Sequence, residues 1–412
     1  MTTRPSATRR SLLAAAAVGP LAATMVQAGR PAAAGFPNIL KPLPPSRFVD
    51  FGTNAEMRWD SVDKRRYLTS QADLFVRNHT KTPTIDASTY ALRIFGNGLS
   101  QARTEAEALS FSLADLKTLP VTRITSVHEC TGNGRSFFGS QQGQAGSGTA
   151  WTLGSVGTVT WEGVRLRHLL SRIGLSSTAV SIMATGLDDP FVSGGTDYGR
   201  VRRPFSVAKA LDDAILAWSA NGQPLLPDHG FPLRLVLPGW IGIASIKWLG
   251  SLEVATTELQ SPWNTAFYRL TGGSYPADSP PLTVNPVRSA WELPWNATLA
   301  AGVTQILTGR SWSGAAPIRS VEVSFDGGAT WRRTDQRQKN DPPAEPGDRG
   351  FGWTQWTTTW RPTQPGPATL MARATDTLGR TQPLVSPFNT LGYFFDAVVR
   401  HPVTVVASPR TR

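Results

Sequence analysis

One cysteine occurs in the 412 residues, Cys130, and it lies in the string HECTGNGR, between an imidazole and a glycine-containing turn that ends in the cation Arg135. A solitary thiol has three uses open to it: inert buried side chain, nucleophile, or soft ligand for a metal. His128 or His229 offers an imidazole for the second use. In FVRNH, residues 75 to 79, Arg77 and His79 stand two apart, so a strand sends both to one face; the same spacing suits a solvated strand end. Arg77, Arg135, Arg234 and Lys247 each sit beside a glycine or an expected strand end. If they converge, the pocket suits oxyanions or phosphates, because Arg offers forked donors and Lys a point charge.

Several chemistries are excluded. The chain has no GxSxG elbow, no HExxH, no CxxCH haem attachment and no GxGxxG opening a βαβ unit. Its five histidines, at 79, 128, 168, 229 and 401, are too scattered for a zinc site.

The chain ends and composition frame that thiol. Arg9-Arg10 precede a short apolar run, with small-residue sites at Val26-Gln27-Ala28 and Ala32-Ala33-Ala34. This predicts a twin-arginine export signal over residues 1–34, removed on the way to the periplasm or exterior. The run falls short of the roughly 20 apolar residues of a membrane span. Removing residues 1 to 28 takes away Arg4, Arg9 and Arg10 and no acid, and lowers the formal charge from +12 to +9. The basic residues are scattered, which favours small anions or an acidic partner and argues against nucleic acid. An exported protein with one cysteine has no internal disulfide, and export in the folded state favours a cofactor ligand as the role of Cys130.

A mature chain of about 380 residues predicts two domains, and 38 Gly with 32 Pro predict a turn-rich, β-rich body. Residues 35 to 48 read as an extended surface leader. Strands are expected at 90–95, 121–128, 151–161, 180–184, 233–237 and 249–255, and helices at 112–119, 166–173 and 206–218. Two Gly-rich loops, 137–150 and 192–199, are expected to be mobile, the first a candidate lid. This mixture predicts an α+β domain over residues 48–270. After the joint TGGSYPADSPP, strands at 304–310, 318–325, 353–360, 368–374 and 398–406, with a hairpin at Asp326-Gly327-Gly328, predict an immunoglobulin-like β-sandwich over residues 282–406.

Seven segments in order then resemble the sulfite oxidase family of molybdenum enzymes: FVRNH, ECTGNGR, WTLGSVGTVTWEGVRL, GLDDP, NGQPLLPDHGFPLRLVLPG, KWLG and the C-terminal W-S-G, DGG-x-x-W and N-x-x-G-Y elements. The resemblance implies a molybdopterin cofactor, with Cys130 as the thiolate on molybdenum. It assigns Asn54, Val76, His79, Asp188, His229, Arg234, Ser245 and Lys247 to the cofactor, neighbouring Asp189 being an alternative for Asp188. Arg77, Arg135, Trp151 and Tyr268 fall at substrate-facing positions, and residues 282–406 at a dimerisation domain. The implied reaction oxidises sulfite to sulfate, with electrons passed to a separate acceptor such as a c-type cytochrome, since the chain shows no haem segment. Sulfane oxidation and sulfoxide reduction are alternatives on the same cofactor, and a non-catalytic exported binding protein is the alternative from another class. Gly134 stands where animal members carry a second arginine, and Thr131 where they have a small apolar residue.

Overall fold

The computed structural model describes residues 38–273, 275–336 and 350–407; the expected export signal lies outside them. The pairing that organises the N-terminal half joins strand Val121–Glu129 to strand Val156–Arg165 along its whole length. β-Branched residues suit this half-buried surface, and two cross-strand pairs fix the register: Thr125 with Thr160, hydroxyls 2.8 Å apart, and Arg123 with Glu162, 2.6 Å. Strand Ile215–Ala220 extends the sheet and pairs in turn with Arg234–Val236. A second sheet runs Arg202–Ser206, Ser181–Gly186, Leu249–Ala255, Ala91–Phe95, Leu109–Ser112, parallel only between the third and fourth strands. The two sheets share a core with helix Leu166–Ile173, which buries Leu166, Leu169 and Leu170 at helical spacing and stops at Gly174, φ 81°. A third, three-stranded sheet ends in the two-residue strand Val76–Arg77, which delivers Arg77.

Four expectations change. The helix expected over 206–218 is Val207–Asp212, capped by the Ser206 hydroxyl; Ile215–Ala220 is a central strand because it has partners on both edges. The loop expected at 137–150 begins as helix Arg135–Gln142, anchored by buried Phe137 and Phe138 against Phe395. The 192–199 loop contains a small hairpin, Val192–Ser193 with Thr196–Asp197. The leader is only partly superficial in its described part: Ile39 and Lys41 are buried, and the Lys41 ammonium donates to the carbonyls of Gln71, Ala72 and Leu74.

Beyond residue 281 the strands form two sheets. One is ordered Arg288–Trp291, Gln305–Trp312, Thr354–Trp360, Asp335–Gln336; the other Ala297–Ala300, His401–Val406, Gly366–Asp376, Ile318–Ser324, Arg332–Arg333. Trp291, Leu307 and Trp356 from the first meet Val321, Leu370 and Val403 from the second in one core. The Asp326 hairpin forms as the sequence predicts, with its carboxylate accepting from the Thr330 N–H at 2.9 Å.

Candidate active site

Cys130 begins where the long strand ends, so the sheet fixes the turn that carries the thiol. The Cys130 N–H donates to the Ser155 carbonyl at 2.9 Å, the Asn133 N–H returns to the Cys130 carbonyl at 2.9 Å, and the Gly134 N–H reaches the Thr152 carbonyl at 2.6 Å. Burial pushes the thiol's pKa up, while Arg77 and Arg135 draw it down. Among the described residues no group of three His, Cys, Asp or Glu side chains is placed to hold a metal.

The cavity beside Cys130 is lined by cations and neutral imidazoles. Arg234 is buried; its two terminal nitrogens donate to the carbonyls of His229 and Ser245, each at 3.0 Å, and its guanidinium lies 4.6 Å from the Trp161 ring centre. The Lys247 ammonium donates to the Asn78 side-chain carbonyl and to the Asp228 carbonyl at 2.8 Å, and burial holds its pKa well below the usual lysine range. Arg234 and Lys247 come together because Leu235 N–H bonds to the Ile246 carbonyl, pairing their two segments. Burial, then nearby cations, keep His79 and His229 neutral: His79 Nε2 accepts from the Trp263 indole at 3.0 Å, and His229 Nε2 lies 2.9 Å from the Gln71 carbonyl.

Asp188 lines the cavity, and burial pushes its carboxyl up to about 6; Asp189 is exposed and faces Lys81 at 3.7 Å. The structure thus places Asp188, rather than Asp189, at the site. Arg77 also lines the cavity and makes no side-chain hydrogen bond or ion pair among the described residues. Tyr268 lines it too, at φ 57°, a left-handed conformation that a bulky residue adopts only when its surroundings impose it.

Other expected residues stand back from the cavity. Trp151 is buried behind it, edge-on to Phe75 and Phe51. Asn54 acts through its side-chain carbonyl, which accepts from the Asn78 N–H at 3.0 Å, and Val76 is a buried strand residue. Arg135 is buried, with Nε on the Leu391 carbonyl at 2.8 Å and Nη1 on the Thr149 carbonyl at 2.7 Å, over the Tyr393 ring at 5.4 Å. Its charge reaches Cys130, Tyr268 and Arg77, but its donors are largely engaged by the backbone.

Sequence reasoning missed Asn78, which was in plain sight inside FVRNH; His128, named from the sequence as an imidazole beside the thiol, is a wall residue stacked on Phe75 at 5.7 Å. Sequence reasoning also missed two contributions from the far end of the chain. Tyr393 stacks on Tyr268 at 5.1 Å and 11°, and Arg288 pairs with Glu129 at 3.0 Å.

These features fit one kind of guest. A single soft thiol stands beside partnerless buried polar atoms, namely Thr131 Oγ1, Asp188 Oδ1 and Arg234 Nε, and beside cations without carboxylate partners. An anionic organic group rich in hydrogen-bonding atoms and carrying a thiophilic metal satisfies all of them.

The comparisons agree on the class of protein. Residues 79–263 match the family described as oxidoreductase molybdopterin binding domain, and residues 286–405 match the Mo-co oxidoreductase dimerisation domain. The chain is 34% identical over 304 residues to mitochondrial sulfite oxidase of Rattus norvegicus and 35% identical over 306 residues to that of Homo sapiens. Each match covers 70% of this chain and 52% of the relative. The chain thus spans about half the length of these relatives. In structure it resembles the sulfane dehydrogenase SoxCD from Paracoccus pantotrophus, with a TM-score of 0.70 and 23% identity, over 91% of this chain and 92% of that one. The chain belongs to the sulfite oxidase family of molybdopterin oxidoreductases.

Proposed function

We propose that this protein oxidises sulfite to sulfate. The observation that carries the reading is the convergence of Arg77, Arg234 and Lys247, none ion-paired to a carboxylate, on the cavity of the only cysteine. When bound, molybdenum-molybdopterin supplies oxygen-atom transfer and takes up two electrons; Cys130 would hold the metal. Arg234, Lys247, His229 and Ser245 would hold the pterin and its phosphate, with Asp188, Asn78 and His79 satisfying its polar edge. Arg77 keeps its donors free for a small dianion, and Arg135 adds field from behind without spending its own donors on substrate. The neutral histidines bind without adding charge. Tyr268, held in place by Tyr393, orients its hydroxyl at the reacting end. Sulfite gains one oxygen, derived from water, and two protons and two electrons leave.

The wider expectations belong to the same proposal. Residues 48–270 act as the catalytic domain and residues 282–406 as an immunoglobulin-like sandwich that joins two copies. The two facing sheets and the dimerisation-domain match support this part. The protein is exported by the twin-arginine route over residues 1–34, and its electrons pass to a separate acceptor such as a c-type cytochrome. No helix of the described residues is long and apolar enough to cross a membrane.

The test is steady-state turnover of sulfite with an artificial one-electron acceptor, together with molybdenum analysis. Cys130→Ser should lose its molybdenum, and turnover should fall by more than about a hundredfold, since even outer partners of a metal carry effects of that size. Unchanged sulfite oxidation in that variant would sink the ligand assignment. One observation favours sulfane as a second reading: with Gly134 bare and Arg135 engaged, the pocket is less basic than two free arginines would make it. Turnover on a sulfane and none on sulfite would select it.

A further inference from the structure

The turn that carries Cys130 is fastened from outside its own sheet. Glu129, the residue before the cysteine, is buried and has three side-chain partners. They are Asn133 Nδ2 at 2.8 Å, Trp312 Nε1 at 2.9 Å and Arg288 Nη1 at 3.0 Å. The same Arg288 nitrogen also donates to the Asn133 carbonyl at 2.6 Å. One guanidinium therefore ties the residue before Cys130 to a residue after it, closing both ends of the turn. Arg288 and Trp312 both come from the C-terminal sheets. The Asn133 amide is locked in turn by the Ser155 hydroxyl at 3.0 Å, and the Phe394 N–H donates to the Thr131 carbonyl at 3.0 Å.

Gly134 belongs to the same arrangement. Its φ is 82°, and a Cβ there would lie 2.6 Å from Arg288 Nη2 and 3.3 Å from Phe395. A side chain at 134 and Arg288 in its present position exclude one another. The space a side chain at 134 would need is taken by an arginine arriving from 154 residues downstream, 134 to 288.

We propose that Arg288 is a positioning residue for Cys130: through Glu129 and Asn133 it holds the thiol in the geometry that accepts the metal, so the C-terminal sheets set the ligand. The inference rests on the reading of Cys130 as that ligand. Removing Arg288 leaves the buried Glu129 carboxyl without its cation and releases the Asn133 carbonyl, so the turn loosens at both ends.

Because Cys130 is the only cysteine, alkylation by iodoacetamide of the full-length, cofactor-free protein reads this one thiol. Arg288→Met should alkylate at least roughly tenfold faster than wild type, the factor expected when a local opening becomes about 1.4 kcal/mol easier. It should also carry less molybdenum per chain when purified from molybdenum-replete cells. Arg288→Lys should fall between, since an ammonium reaches Glu129 but does not fork to Asn133. Arg310→Met, which breaks the buried Arg310–Glu292 pair in the C-terminal sheets, should lower Tm and leave the alkylation rate at the wild-type value. If Arg288→Met does not fold, Gly134→Ala displaces the same guanidinium and should give the same acceleration. A wild-type alkylation rate in Arg288→Met, or in Gly134→Ala where that variant stands in, overturns the inference. Wild-type molybdenum content in Cys130→Ser overturns the ligand reading instead, and the alkylation result stands apart from it.

Discussion

Buried cations are handled in opposite ways at the cavity and in the C-terminal sheets. In the C-terminal sheets, Arg310 pairs with Glu292 and Arg288 with Glu129, all four fully or nearly fully buried, and Arg380 pairs with the buried Asp376 at 2.6 Å. At and behind the cavity, Arg234 and Arg135 donate to backbone carbonyls, and Lys247 to a carbonyl and an amide. A carbonyl satisfies an N–H but does not neutralise a charge. Each buried arginine named from the C-terminal sheets thus has a carboxylate partner, one of them, Glu129, supplied by the N-terminal half, whereas the cavity cations have none at ion-pair distance and favour an anionic guest. The difference separates charges that build a domain from charges that bind.

The sharpest way to break this contrast is to remove one cation from each region of the cofactor-free protein. Arg310→Met strands the Glu292 carboxylate and should cost about 3–5 kcal/mol in urea unfolding. Lys247→Met removes a charge with no ion-pair partner and should leave stability unchanged or raised, while cofactor content falls. Equal losses in both variants would erase the distinction. Next in size, inorganic phosphate should raise the Tm of cofactor-free wild type, approaching about 2.7 kcal/mol of stabilisation at a hundredfold excess over Kd. Arg310→Met should keep that increment and Arg234→Met should lose it, as calorimetry would show. In the loaded enzyme, Arg77→Met should raise KM for sulfite by about ten- to a hundredfold, the range of a hydrogen bond to a charged group, with a smaller change in kcat. An unchanged KM would remove Arg77 from the anion pocket.

The smallest effects are in pH. Burial, then Arg77 and Lys247, hold His79 well below its ordinary 6.5. The unfolded chain therefore takes up a proton that the native state refuses. This contribution to stability is present above 6.5 and is lost as the pH falls below it. His79→Gln keeps an acceptor for Trp263 and should flatten the acid decline of Tm by at most about 1.4 kcal/mol per pH unit. Asp188 has the opposite sign. Its carboxyl is raised from 3.8 to about 6 by burial, so its ionisation weakens the cofactor-free fold as the pH rises across that interval. Asp188→Asn should remove this loss.

The residues legible in the sequence are those whose partners lie close along the chain. Arg234, Ser245 and Lys247 fall on two segments joined by a short connection, and helix Leu166–Ile173 announces itself by spacing and a terminal glycine. Residue 135 was legible as a cation of the site but not as one facing inward, because the carbonyl that holds its Nε is 256 residues away. Arg288 had no local signal, and Tyr393, though it closes the N-x-x-G-Y element, has nothing near it in sequence that marks Tyr268 as what it touches. The helix expected over 206–218 failed for the same reason: Ile215–Ala220 is a strand by virtue of its neighbours on both edges.

The contacts of Leu391, Tyr393 and Phe394 with the Cys130 turn and with Tyr268 bear on biogenesis. A chain that has left the ribosome only as far as residue 270 has its thiol and its cations, yet lacks the segment that braces Tyr268 and Arg135. The finished site therefore exists only after the segment around residues 391–394 has emerged. A gene split between the two halves would separate the cysteine from the residues that hold its turn in place.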